Sequence, residues 1–220
     1  MRMLRDNQQL LILDAGSNRG IGLNLTKAFL SQSYNVFATI RPKSRLDSSF
    51  RDLEETGATI LELDFLDEKS IASAARAYGN KPLDVLINVG GLPPNPKPWK
   101  DQTSSLMLER LRAMTIVSPY LTMTEFLPQL ELATNPKVIN ISSSFGSISI
   151  SGTLALVWES EGRNTTIICV EPGFLYTKLT GWDGEDDMET CIKGLMKIID
   201  SISHEDTGAF LKWDGSKIPF

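Results

Sequence analysis

The sequence predicts an α/β protein built as a doubly wound parallel sheet with helices on both faces. Three observations carry that expectation. Short apolar, β-rich runs alternate with amphipathic helical stretches from residue 10 to residue 213. The links between them are short, and parallel strands require crossovers, which the helices supply. A glycine-rich turn, Gly16-Ser17-Asn18-Arg19-Gly20-Ile21-Gly22, joins the first strand to the first helix.

In order, residues 10–13 form the first strand and residues 21–33 a helix, with Ile21, Leu25, Ala28 and Phe29 on one face. Residues 34–40 are the second strand and 58–63 the third, which ends at Asp64. Residues 67–78 open with acids, as the N-terminal dipole prefers, and read as a helix. The fourth strand, 83–89, runs into a proline-rich loop expected above the sheet. A long amphipathic segment, 106–132, is interrupted by Pro119 and Pro128, so a kink or a late helix end is expected. Lys137–Ile141 is the fifth strand, 165–170 the sixth, 188–202 the last helix and 208–213 a short final strand.

Composition bounds the possibilities. The 220 residues suffice for one well-filled core, and a single domain, 1–220, is expected. With 22 basic against 27 acidic residues the net charge is −5, which argues against a broad nucleic-acid footprint or an anionic membrane surface. Any anion site must be local. Cys169 and Cys191 lack metal-ligand spacing and read as reduced structural thiols, so no metal is expected. No stretch has the apolar length of a membrane span, and residues 1–9 hold no apolar run of signal-peptide length. A soluble cytoplasmic protein is the expectation.

Three glycines at Gly16, Gly20 and Gly22 let the backbone turn sharply, approach a diphosphate without a Cβ in the way, and pack the helix close to its strand. The helix N-terminus then offers free N–H groups and a positive dipole end. A glycine turn without a ligand is the alternative. Arg41 ends the second strand, where an acid would bind a ribose 2′-hydroxyl and an arginine accommodates a 2′-phosphate. It favours NADP over NAD. Arg19 could flank the same phosphate, with Lys43, Ser44 and Arg45 close behind, although a solvated basic cluster reads the same way. Asp64 could receive an adenine amino group, and the fifth strand delivers Ser142, Ser143 and Ser144 to the edge where ligands of open α/β sheets bind.

Together these stretches resemble the short-chain dehydrogenase/reductase family, and within it the NADPH-dependent carbonyl reductases of the sniffer and C-factor type. The resemblance rests on Gly16, Gly20 and Gly22; Arg41; Asp64; Asn88-Val89-Gly90, where the family usually reads Asn-Asn-Ala-Gly; Ser143; Pro172-Gly173; and the tail 212–220. It implies a single Rossmann-type domain, NADP(H) as cofactor, and a small-molecule carbonyl or alcohol as substrate, with biosynthetic tailoring as one role. It also implies that Ser17, Asn18, Arg19 and Ile21 line the diphosphate and ribose, and Asp64 the adenine. Asn88 and Gly90 would lie at the nicotinamide half, and Leu175 and Thr177 at the carboxamide and diphosphate. Ser143 would be the catalytic serine that hydrogen-bonds the substrate oxygen as charge develops.

The chain departs from the family at one block. The family's acid is the tyrosine of Tyr-x-x-x-Lys, but Tyr34, Tyr78, Tyr120 and Tyr176 are followed four positions later by Ala38, Pro82, Thr124 and Thr180. A family asparagine in the long helix falls on Thr115. Ser143 and Pro172 lie 29 positions apart, a span that must hold a loop, a crossover helix, a turn and the sixth strand. Only 154–161 remains for about two helical turns, so a shortened active-site crossover helix is expected. In the family that helix covers one sheet face and carries much of the subunit interface, so a homo-oligomer would be weakened.

Tyr176, with Lys178 beside it, is the candidate substitute acid, and His204 is expected at the solvated end of the last helix. The substrate loops, around 91–103 and 180–190, carry no recognisable chemistry, and the acidic run from Asp183 to Glu189 reads as a lid edge or helix cap. Three readings stay open: an active NADP(H)-dependent oxidoreductase, a degenerate dinucleotide-binding or interaction protein, and a shortened product of an active reductase.

Overall fold

The computed structural model describes residues 8–14, 17–90, 103–105, 108, 117–143, 157–159 and 161–219. Its elements in chain order are β1 Gln9–Asp14, α1 Gly20–Leu30, β2 Asn35–Ile40, α2 Phe50–Glu54, β3 Thr59–Glu62, α3 Glu68–Tyr78 and β4 Val85–Val89. Then follow α4 Val117–Glu125, α5 Leu127–Leu130, β5 Lys137–Ile141, β6 Thr166–Glu171, α6 Met188–Ser201 and β7 Phe210–Lys212. The seven strands form one sheet in the order β3-β2-β1-β4-β5-β6-β7, every neighbouring pair parallel. The order runs outward in both directions from β1 and β4, so the winding reverses between them and opens a crevice at their carboxyl ends. This is the doubly wound Rossmann-type α/β fold that the sequence predicts.

Alternation along each strand sorts the apolar side chains into two layers. Leu10, Ile12, Val36, Ile87, Ile139 and Ile168 face α1 and α6, whose Leu25, Phe29, Leu195 and Ile199 complete that layer. Leu11, Leu13, Phe37, Leu86, Val138 and Ile167 face the other way, against Ile71 and Ala74 of α3, Met123 of α4, and Phe126. Residues 157–159, within the 154–161 stretch of the expected short crossover, are helical. Their Trp158 is buried in this second layer, and Arg163 stacks on its ring while pairing with Glu131 and Glu161. Trp158 thus anchors the described part of the β5–β6 connection to the sheet.

Several elements differ from their sequence expectation for local reasons. Helix α1 stops at Leu30, because Ser33 turns to φ 66° and Tyr34 folds back, its N–H donating to the Phe29 carbonyl and its ring meeting Phe29 edge-on. The basic stretch after β2 is an ordered 3-10 turn, Pro42–Leu46, followed by α2, neither of which the sequence reading assigned. Both start signals were present: Pro42 in the first turn, and serines ahead of an apolar pair, Phe50 and Leu53, spaced by three. The long segment breaks at Phe126, and Pro128 sits in the first turn of α5, where its missing N–H costs nothing. His204 does not lie on α6. It opens a separate 3-10 turn, His204–Asp206, because Ser203 and Asp206 form a reciprocal capping box there. Among the described residues no helix is long and apolar enough to cross a membrane, and no cluster of His, Cys, Asp or Glu could hold a metal ion.

Candidate functional site

Because the strands are parallel, each segment that follows a strand emerges at the same sheet edge. That edge gathers Ser17–Gly20 after β1, Arg41 after β2, Asp64 after β3, Gly90 after β4, Ser142 and Ser143 after β5, and Pro172–Thr177 after β6. Gly16 and the proline-rich loop lie outside the described residues, as does Thr115.

Ser17 and Asn18 are fully buried. The Ser17 N–H donates to the Thr39 carbonyl at 3.2 Å, fixing the glycine turn against the end of β2, two residues before Arg41. The Asn18 amide donates to Ser49 Oγ at 2.7 Å, and Arg19 approaches Asp47 at 3.6 Å. Asp47 and Ser49 therefore support the glycine turn, a contact that the sequence reading missed; the serines ahead of α2 were a signal for it. Three buried atoms in this corner have no hydrogen-bond partner: Ser17 Oγ, Asn18 Oδ1 and Arg41 Nε. Buried polar groups are nearly always paired, so a donor, an acceptor and a guanidinium nitrogen left open at neighbouring strand ends mark a site shaped for a polar group from outside the chain.

Gly20 opens α1 at φ +56°, a left-handed conformation that glycine adopts without strain, and Ile21 and Gly22 continue the helix. A Cβ on Gly20 would lie 3.8 Å from Thr177 Cγ2, so Thr177 sits over the start of this helix. Leu175 and Thr177 are both buried. Asp64 forms the turn ahead of α3: its Oδ1 accepts from the Leu66 N–H at 3.1 Å and its own N–H donates to Ser70 Oγ at 2.9 Å.

The Asn88 side chain is not presented at the edge. It is buried, donates to Asn140 Oδ1 at 2.7 Å and accepts from Thr122 Oγ1 at 2.9 Å. Asn140, opposite it in register on β5, was also overlooked, although it interrupts the apolar residues Val138, Ile139 and Ile141 at the same level. The trio ties β4, β5 and α4 together beneath the edge. Ser143 is exposed one residue beyond Ser142, whose N–H donates to the Val170 carbonyl at 2.8 Å. Tyr176 is exposed, its ring 5.2 Å from that of Trp182. In the acidic run, Asp187 caps α6 by accepting from the Thr190 N–H and hydroxyl, bonds that hold its carboxyl below the usual range. Cys169 and Cys191 are buried free thiols, and burial together with Asp186 and Asp187 pushes Cys191 up to about 11.

The carbonyl reductase of chicken fatty liver, whose structure contains NADPH, superposes with a TM-score of 0.85 at 24% identity, covering 99% of this chain and 100% of that one. Carbonyl reductase Sniffer of D. melanogaster gives 0.83 at 21% identity over 97% of this chain and 100% of that one. A short-chain dehydrogenase of Pyricularia oryzae is 24% identical over 95% of this chain and 98% of its own length. That alignment runs over 245 positions, more than the 220 residues here, so at least 25 positions of the relative have no counterpart in this chain. The family model of the short chain dehydrogenases matches residues 11–155, well over half of the sequence, and the chain belongs to that family.

Proposed function

We propose that this chain binds NADP(H) across the carboxyl ends of β1, β2 and β4, in the class of oxidoreductases that interconvert a small-molecule carbonyl and alcohol. The observation that carries this reading is the set of buried, unpartnered atoms Ser17 Oγ, Asn18 Oδ1 and Arg41 Nε. Leaving such groups open costs about 1–3 kcal/mol each, and a phosphorylated ribose offers acceptors to the hydroxyl and guanidinium and a donor to the amide oxygen. The NADPH found in the chicken reductase, a structure of the same fold, supports the choice of ligand.

When bound, the nicotinamide supplies the hydride. The chain's residues do the rest: Gly16, Gly20 and Gly22 let the diphosphate approach the N–H groups at the start of α1. Arg41 meets the 2′-phosphate, and Arg19 joins it by exchanging its half-exposed partner Asp47 for the anion. Asp64 borders the adenine, Gly90 the nicotinamide half, and Leu175 and Thr177 close over it. Ser143 donates a hydrogen bond to the substrate oxygen. The cofactor reading is tested by calorimetric titration with both coenzymes. NADPH binding at least about tenfold tighter than NADH is expected, the effect of one charge-assisted contact; equal affinities overturn it.

The absent Tyr-x-x-x-Lys favours a second reading, that the chain as written binds dinucleotide with little turnover. The unmatched positions of the Pyricularia relative favour a related one, a shortened product of an active reductase. Transcript sequencing across residues 144–156 separates these two.

A further inference from the structure

The loop between β6 and α6 is tied shut at its base by one side chain. The Phe174 N–H donates to Asp186 Oδ2 at 2.6 Å, and the Phe174 carbonyl accepts from the Glu185 and Asp186 N–H groups at 2.8 and 3.0 Å. Leu175 and Asp186 form an isolated parallel bridge. Gly173, at φ +90°, has no room for a side chain: a Cβ there would lie 2.8 Å from Asp186 Oδ2 and 3.1 Å from Trp213 Cδ1. Gly184 is packed more closely still, against the backbone of Leu175 and Tyr176. Inside the loop Thr180 Oγ1 donates to the Leu175 carbonyl and accepts from the Thr177 N–H, and the Trp182 N–H donates to the Thr177 carbonyl.

We propose that Asp186 is a positioning residue: its carboxylate closes this loop and so fixes Leu175 and Thr177 over the start of α1. Two adjacent acids divide the labour. Asp187 anchors the first turn of α6, and Asp186, one residue earlier, fastens the loop to that anchored helix. The other acids of the run, Asp183 and Glu185, are exposed, and Glu189 pairs with Lys193. The consequence for a cofactor is pre-organisation, since a loop already ordered loses less entropy when it closes on a ligand. That consequence rests on the NADP(H) reading above; the clasp itself does not.

The test uses the full chain with the variants D186A and D186N, and D187A as control. Amide hydrogen exchange at Phe174, Tyr176 and Trp182 is followed without ligand, and NADPH affinity is measured by calorimetry. D186A is expected to speed exchange in the loop and to weaken NADPH by about tenfold each, the loss of one charge-assisted hydrogen bond. D186N keeps an acceptor and is expected to retain most of both, and D187A is expected to loosen only the first turn of α6. Loop exchange unchanged in D186A, or raised equally in D187A, overturns the proposal, as does a loosened loop with unaltered NADPH affinity. A wild-type chain that takes up no NADPH while D186A still frees the loop supports the clasp and overturns the cofactor reading. Should D186A fail to fold, D186E, which displaces the carboxylate by one methylene, replaces it with the same expectations.

Discussion

At the scale of single residues, the interior amides are where a small change has the largest calculable effect. Asn88, Asn140 and Thr122 are each within 4% of full burial, and Asn88 Nδ2 depends on Asn140 Oδ1 as acceptor. Asn140→Ala is expected to cost about 1–3 kcal/mol, seen as a lower urea midpoint at unchanged slope. Thr122→Val, near-isosteric and removing only a shared donor, is expected to cost less. Cys191 gives a pH signature. Its thiol rises from an ordinary 9.0 to about 11, so the folded chain holds that proton more firmly than the unfolded one. Stability from this group is therefore complete below pH 9 and lost as pH rises toward 11, a decline on the order of 1–2 kcal/mol that Cys191→Ala should flatten in alkaline melts. The positions of Arg41, Asp64 and Ser143 at strand ends were readable from the chain, because each follows a short run rich in β-branched and apolar residues. The pairing of Asn88 with Asn140 was not, because it depends on the register between strands 52 positions apart.

Elements show why local sequence rules need the third dimension. Gly194 lies inside α6, where glycine-to-alanine ordinarily stabilises a helix by about 1 kcal/mol. Here a Cβ would overlap the Trp213 carbonyl oxygen, a backbone atom that cannot swing aside. Gly194→Ala is expected to destabilise by about 1–3 kcal/mol in urea unfolding, whereas Lys197→Ala, on the exposed side of the same helix, should stay within about 0.5 kcal/mol. The position of α6 was legible from its periodicity; the approach of the β7 tail to it was not. The same contrast holds around the glycine turn. Strand, turn and helix are written into residues 9–30, but the support given by Asp47 and Ser49 comes from a short 3-10 turn and a five-residue helix too brief for a periodic signal. The β6–α6 loop is a third instance: Asp183–Glu189 reads as a charge run, and only the fold separates the acid that caps the helix from the acid that clasps the loop.

For the whole molecule, the parallel sheet and the edge at which the strand-end segments gather follow from the alternation of elements, while the order of the strands does not. What the whole does allow is a prediction about rate. Hydride delivery to a carbonyl leaves an alkoxide, and a positioned general acid typically contributes about 10²–10⁴-fold to such a step. In the proposed reading Ser143 hydrogen-bonds the oxygen, but a serine hydroxyl is a poor proton donor, and no tyrosine of this chain has a lysine four positions on. Tyr176 has an exposed ring resting on Trp182, with a threonine where that lysine would be. NADPH oxidation with carbonyl substrates should therefore run at least about 10²-fold below that of a family member carrying Tyr-x-x-x-Lys, while coenzyme binding persists. Tyr176→Phe should leave that residual rate within about twofold and binding unchanged, because removing a group that transfers no proton leaves the barrier where it was. Fast turnover abolished by Tyr176→Phe would mean that the loop held by Asp186 carries the acid itself, and would turn the expectation of slow chemistry into its opposite.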